Sequence, residues 1–220
     1  MKITNRAKNT KLENNGLASD SQSQGKIFVI SGPSGSGKTT LLSKLTQDKE
    51  ISKLLIKSRS LTTRPKRSQE RQGKDYFFVT SFEFKRLIKQ KKILEWTRYL
   101  GYYYGTPKQF VDAQLKKGKN IGFCLDLKGA AILKKIYPKN TVTIFVLPPS
   151  LETLKTRIQK RCNCTAQQEV VQRLKLARRE IKACSRFDHC ILNKNLQVAS
   201  DKLKEIIKKA ISPTGGTHGI

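Results

Sequence analysis

Acidic residues are scarce in this chain: 16 Asp and Glu stand against 45 Lys and Arg, a formal net charge of +29. Such a field attracts polyanions at low salt. The marks of a dedicated nucleic-acid module are also missing, since there is no RNA-recognition signature, no paired zinc-ligand spacing and no basic–aromatic repeat. Much of the excess sits in surface runs such as Lys89, Lys91, Lys92 and Lys116, Lys117, Lys119. The expectation is low-salt affinity for polyanions with no dedicated nucleic-acid partner. No apolar run approaches the ~18 residues of a membrane helix, and the first 25 residues lack the ~7–15-residue apolar stretch of a secretory signal. Together these absences predict a cytoplasmic protein with no membrane partner. Cysteines number five, an odd count without a secretory context, so free thiols are expected at Cys124, Cys162, Cys164, Cys184 and Cys190. Cys162-Asn163-Cys164 has the wrong spacing for a zinc knuckle. No internal repeat sets an oligomeric state or an array.

What is present is enough apolar residue, 37% of 220, to bury the core of one α/β domain. Residues 1–25 are polar, without hydrophobic period, and read as a flexible extension. Lys2, Arg6, Lys8 and Lys11 give this segment a leader-like charge, against which stand Glu13 and Asp20. Residues 212–220 read as a flexible tail. Between these ends, apolar runs at Ile27–Ile30, Ile121–Leu127, Val142–Leu147 and Cys190–Leu192 predict strands. Helical patterns near Leu127–Tyr137, Ser150–Arg161, Gln168–Ala183 and Leu196–Ile211 lie between or beyond them. Continuous apolar strands separated by helices predict a parallel sheet covered on both faces. Residues 58–118 break the rhythm and read as a small insertion carrying a site.

Gly32-Pro33-Ser34-Gly35-Ser36-Gly37-Lys38-Thr39 fits the phosphate-binding pattern G-x-x-x-x-G-K-[ST] at every constrained position. It directly follows an apolar strand, and Leu41, Leu42 and Leu45 continue it as a helical stripe. Glycines let the backbone curl its N–H groups toward phosphate oxygens, and the following helix adds its positive end. Lys38 is expected to reach the β- and γ-phosphates of ATP, with Thr40 alongside, and the Thr39 hydroxyl to ligate Mg2+. The motif fixes a nucleoside-triphosphate site and leaves the acceptor open.

Further blocks follow: Ser58-Arg59-Ser60-Leu61-Thr62-Thr63-Arg64, then Arg67, Glu70, Gly73, Asp75, Tyr76, Glu95-Trp96 and Tyr103-Tyr104-Gly105-Thr106. Asp126, Gly129, Pro148-Pro149-Ser150 and Arg173-Leu174 continue the series. In this spacing the chain resembles the guanylate kinase family from about residue 26 to residue 211. The resemblance implies a three-layer α/β/α P-loop core (about 26–57, 119–154 and 174–211), a mixed α/β GMP-binding insertion (about 58–118) and a helical lid (about 155–173). It implies transfer of the γ-phosphoryl group of ATP to GMP, and to dGMP, in purine nucleotide metabolism.

By that resemblance Arg64, Arg67, Tyr76 and Tyr104, with Glu70, hold the GMP phosphate. Two guanidinium forks and two phenols suit a dianion. Taken singly, the arginines also read as surface charge and the tyrosines as packing. Ser60, Glu95, Thr106 and Asp126 match the residues that read guanine. Ionised carboxylates only accept, so Glu95 and Asp126 suit the N1–H and N2–H2 donors, and Ser60 can donate to O6. Asp126 also reads as a carboxylate facing a metal's waters at a strand end. Arg157, Arg161 and Arg173 match lid and core arginines that cover the transferring group, although 157 and 161 also read as one solvated basic face. Asn193 matches a position near the adenine of ATP. No general base is nominated, because phosphoryl transfer needs placement and charge neutralisation.

Three positions depart from the family pattern. Cys124 stands where an acidic residue is usual, Lys128 replaces a Gln, and Cys162-Asn163-Cys164-Thr165 replaces a Gly-containing lid turn. Two other readings compete. A non-catalytic module that binds a phosphorylated protein has no use for Lys38 and Thr39. A kinase of a phosphorylated sugar has no use for Ser60, Glu95 and Asp126.

Overall fold

Ile27–Ser31 forms β1, five residues with no solvent exposure on either face. Its apolar run needs neighbours on both sides, and it finds them in two parallel partners, β7 (Asn120–Cys124) and β8 (Thr141–Leu147). A short strand β2 (Leu55–Lys57) extends the sheet beyond β7, and β9 (His189–Leu192) extends it beyond β8. The order β2-β7-β1-β8-β9 is parallel throughout. The structure is a computed structural model and describes residues 25–161 and 167–212, with the side chain of Arg161 excepted. The expected extension up to residue 24, the lid turn 162–165 and the tail from 213 lie outside the described residues.

Strand alternation divides β1 between two cores. Phe28 and Ile30 join Leu41, Leu42 and Leu45 of α1 (Lys38–Leu45) and Leu203 and Ile207 of α8 (Leu196–Ile211). Ile27 and Val29 face Val111 and Leu115 of α4 (Lys108–Lys116) and Ala130 and Leu133 of α5 (Leu127–Ile136). The result is a helix–sheet–helix sandwich, as the apolar runs and the resemblance implied. Among the described residues, no helix is long and apolar enough to cross a membrane.

A second sheet, in the order β4-β3-β6-β5, rises over one end of the first. It comprises β3 (Leu61–Thr62), β4 (Phe77–Phe78), β5 (Ile93–Tyr99) and β6 (Tyr102–Pro107). Leu100 and Gly101, both with positive φ, make the tight β5–β6 turn. Helix α3 (Ser81–Lys89), capped by the Thr80 side chain accepting from Glu83 N–H, drives Phe84 onto Tyr103 with ring centroids 5.3 Å apart. After β2 comes this insertion; after β8 come α6 (Leu151–Arg161) and α7 (Gln167–Ile181).

Two expectations change. β7 stops at Cys124 rather than running to Leu127, because the Asp126 carboxylate accepts from Gly129 N–H at 2.8 Å and starts α5. The thiols are not all free: Cys184, in a 3-10 turn after α7, is joined to Cys190 of β9 as a disulfide. That turn reverses the chain so that the two Cα atoms lie 6.4 Å apart, within bridging reach.

Gly122 of β7 lies under α1, where an added Cβ would come 2.7 Å from a methyl of Leu42 and 3.3 Å from one of Leu55. Gly122→Val is expected to lower stability by about 1–3 kcal/mol through overpacking. Urea unfolding followed by far-UV dichroism reads this as a lower midpoint at unchanged slope.

Candidate active site

The chain leaves β1 through a loop that requires glycine, most sharply at Gly32 and Gly37. Gly32 has φ 136° and passes so close to β8 that a Cβ would lie 2.4 Å from the Val146 carbonyl oxygen. Gly37 has φ 98°, and its Cβ would meet the Asn193 side-chain nitrogen at 2.2 Å. That Asn193, buried just past β9, donates from Nδ2 to the Ser36 carbonyl at 2.7 Å. The loop is thus clasped from the far edge of the sheet. Lys38 opens α1 and folds its ammonium back onto the carbonyls of Gly32 (2.6 Å) and Pro33 (2.8 Å). Pro33 and Ser36 shape the loop from beneath, the Pro33 carbonyl also accepting from Ser36 N–H at 3.1 Å.

α7 meets the same loop, and α6 meets the Asn193 that clasps it. Arg173 of α7, ion-paired with Glu169, donates from Nη1 to Ser34 Oγ at 2.9 Å. Arg157 of α6 approaches the Asn193 carbonyl at 3.4 Å. α6 ends at Arg161, whose side chain lies outside the described residues. Cys124, at the end of β7, has its thiol titration pushed up by burial, against the pull of Lys38, Lys57 and Thr39.

Across a single cleft of about 770 Å3 the insertion faces this loop. Its lining joins Gly32, Lys38, Thr39 and Thr40 to Ser60, Arg64, Arg67, Tyr76, Tyr104, Glu95 and Asp126, with Arg157, Arg173 and Asn193 completing it. Glu70 stands behind the arginines: Arg64 donates to both its oxygens (2.7 and 2.9 Å), and Arg67 N–H to one (2.9 Å). Burial would raise the Glu70 carboxyl, but Arg64 and Arg67 hold it below the usual range. Tyr76 and Tyr104 pack edge to face with centroids 6.2 Å apart, and Arg64 lies over Tyr76 at 5.6 Å. Two guanidiniums and two phenols therefore converge on one spot, with Arg64 already oriented.

Glu95 is 4% exposed and takes a 2.6 Å hydrogen bond from the buried Thr106 hydroxyl, so Thr106 orients Glu95 rather than lining the cleft. Burial pushes the Glu95 carboxyl up to about 7, with Asp126 adding to the rise and Thr106 and Lys128 opposing it. A Cβ at Gly129 would lie 2.9 Å from Glu95 Oε2 and 3.3 Å from Asp126 Oδ1. The two carboxylates therefore flank one stretch of backbone and present a pair of acceptors.

A sequence model described as guanylate kinase matches residues 24–210. The guanylate kinase of Caldanaerobacter subterraneus subsp. tengcongensis is 40% identical over 184 residues, 84% of this chain and 87% of the relative. The chain belongs to the guanylate kinase family. The Wolbachia pipientis wMel guanylate kinase is 38% identical, over 86% of this chain and 92% of its own. A crystal structure of guanylate kinase from Anaplasma phagocytophilum superimposes with a TM-score of 0.72 at 31% identity, covering 88% of this chain and 89% of the other. The family transfers phosphate from ATP to GMP, and this chain carries the α/β build of its relatives, a parallel sheet plus a mixed one.

Lys128, the departure from Gln, sets its ammonium over the Trp96 ring at 5.3 Å. Among the lining residues that escaped the sequence reading are Thr97, Tyr99 and Glu180. Thr97 and Tyr99 follow Glu95 at i+2 and i+4, the strand period that turns one face to the cleft. Glu180 follows Arg173 at i+7 on α7, and burial pushes its carboxyl up to about 7.

The Glu95 value sets a pH dependence. Its carboxyl titrates near 4.5 when unperturbed and about 7 in the fold, so the native state holds the proton more tightly. Ionisation therefore destabilises the fold as pH rises through that window. Glu95→Gln keeps an acceptor for Thr106 and removes the charge. Its stability relative to the parent is expected to be level at pH 4 and to gain on the order of 1–3 kcal/mol by pH 8, read by thermal unfolding across pH.

Proposed function

We propose that this chain moves the γ-phosphoryl group of ATP to GMP, and to dGMP, in the cytoplasm, with each substrate held by one wall of the cleft. The observation that carries this is the shared cavity: a phosphate loop on one side, and on the other a cationic–phenolic pocket beside two flanking carboxylates. Loop N–H groups and the start of α1 receive the ATP phosphates. Lys38 exchanges its two carbonyl partners for the β- and γ-oxygens. Arg64, Arg67, Tyr76 and Tyr104 grip the GMP phosphate in line with the γ-phosphate, Glu70 keeping the first two in register. Ser60, Glu95 and Asp126 read guanine; adenine would set a lone pair against a carboxylate. Arg173, already at Ser34, and Arg157 neutralise charge on the transferring group, with Arg161 on the same helix as a third candidate. Asn193 serves the ATP side by clasping the loop through Ser36.

The donors present suit Mg2+, a hard ion that keeps several waters and binds through few protein oxygens. Among the described residues no cluster of three or more His, Cys, Asp or Glu forms a cage, so the ion would come with ATP and rest on the Thr39 hydroxyl. Mg2+ would neutralise charge on the β- and γ-phosphates. Cys124 beside Thr39 offers a protonated thiol in place of a carboxylate, which supports weaker hold on that ion.

A coupled assay is expected to give ADP only when ATP, Mg2+ and GMP are all present, with AMP a poor acceptor; no GMP-dependent turnover at any Mg2+ concentration would refute the reading. Lys38→Ala should lower kcat by about 10^2–10^3-fold, the scale for removing one charge-stabilising donor, while the GMP affinity measured by calorimetry stays within about twofold. Cys124→Asp should lower the Mg2+ concentration needed for half-maximal turnover several-fold.

A further inference from the structure

Three carboxylates line the cleft among the described residues: Glu95, Asp126 and Glu180. Two already have partners, Thr106 for Glu95 and Gly129 N–H for Asp126. The Glu180 carboxylate makes no hydrogen bond or ion pair among the described residues. A half-buried carboxylate turned into a substrate cleft without a structural partner points to a ligand.

Its position says which part of the ligand. Arg173, Ala177 and Glu180 share one face of α7 at i, i+4 and i+7. Ala177 is buried and Arg173 reaches Ser34 in the phosphate loop. Glu180 thus sits about 10 Å further along the helix from the phosphate end. Its charge is felt by Tyr99, four residues past Glu95 on the inner face of β5. Glu180 itself feels Lys38, at the phosphate end, and Asp126, at the base end. Within reach of both ends and lining the cleft, it is placed to meet the part of a nucleoside monophosphate that joins base to phosphate, its sugar. The base edge and the phosphate have partners in the reading above, whereas the sugar has none. The sugar offers neutral O–H donors, and a carboxylate accepts two of them at once. Lys38 has its own carbonyl partners and does not require Glu180 as counter-ion.

We propose that Glu180 binds the sugar of the acceptor nucleotide, its carboxylate accepting the ribose hydroxyls of GMP from the α7 side of the cleft. This rests on the GMP reading above. The contact makes Glu180 a determinant of acceptor specificity at the sugar.

The test is calorimetric titration at pH 8 of GMP and of 2′,3′-dideoxyguanosine monophosphate into the parent, Glu180→Ala and Glu180→Gln, without ATP. The parent is expected to bind GMP about tenfold or more tightly than the dideoxy compound, the scale of a hydrogen bond to a charged group. Glu180→Ala should close that gap to within about twofold by weakening GMP alone, and Glu180→Gln should leave part of it. Thermal unfolding of each variant reports folding separately. An unchanged gap in Glu180→Ala overturns the proposal, as does equal weakening of both ligands. A raised Mg2+ requirement with the gap intact also overturns it and assigns the carboxylate to the metal's waters. A parent that binds ATP and neither guanine nucleotide refutes the GMP reading itself, which separates the two failures.

Discussion

Everything in the cleft depends on one strand having no freedom. β1 is closed on both faces and paired on both edges, so the point at which the chain leaves it is fixed to the β8 backbone beside Gly32. A side chain there would collide with the Val146 carbonyl, so the loop runs against the sheet rather than over it. The apolar residues that hold β1, from α1 and α8 above and α4 and α5 below, act at a distance on the phosphate site. Burial energy in the sheet thereby becomes positional accuracy in the loop. Ser34 then gives Arg173 a fixed oxygen to hold, so the lid-side helix is aligned by the same strand.

The cleft balances charge in an unusual setting. A strongly basic chain places three carboxylates within it, and burial keeps two of them, Glu95 and Glu180, near the point of losing their protons at neutral pH. Glu70 does the opposite work, held ionised by Arg64 and Arg67 so that the guanidinium is oriented before an anion arrives. Preorganised cations with reluctant anions make an empty cleft that is electrostatically unfinished. A ligand bearing N–H and O–H donors at one end and a dianion at the other supplies both missing complements.

The parts legible in the sequence were those where chemistry restricts residue type. The phosphate loop declares itself because positive φ demands glycine and phosphate demands Lys38. The long strands declare themselves because β1 and β8 are apolar on both faces. β7 ran on too far in the reading because Leu125 and Leu127 continue its apolar run, and only the Asp126 cap shows the turn into α5. β2, β3 and β4 are two or three residues long, too short for any period to register. Thr97, Tyr99 and Glu180 carried a positional signal, two, four and seven residues from recognised neighbours, but nothing in their type distinguished them from surface residues. The Cys184–Cys190 pair was hidden because bridging depends on the turn between α7 and β9 rather than on cysteine count.

Gly37 and Asn193 meet where a single methyl would not fit, although 155 other residues separate them along the chain. The two sites are sterically coupled. A larger residue at 37 would meet the Asn193 amide and would also hold a strained φ of 98°, and a smaller one at 193 gives up the clasp on Ser36. A smaller residue at 193 would open space at 37 without relieving its backbone, so neither position compensates for the other. The far edge of the sheet is thereby locked to the phosphate loop by a contact that leaves neither partner room to vary.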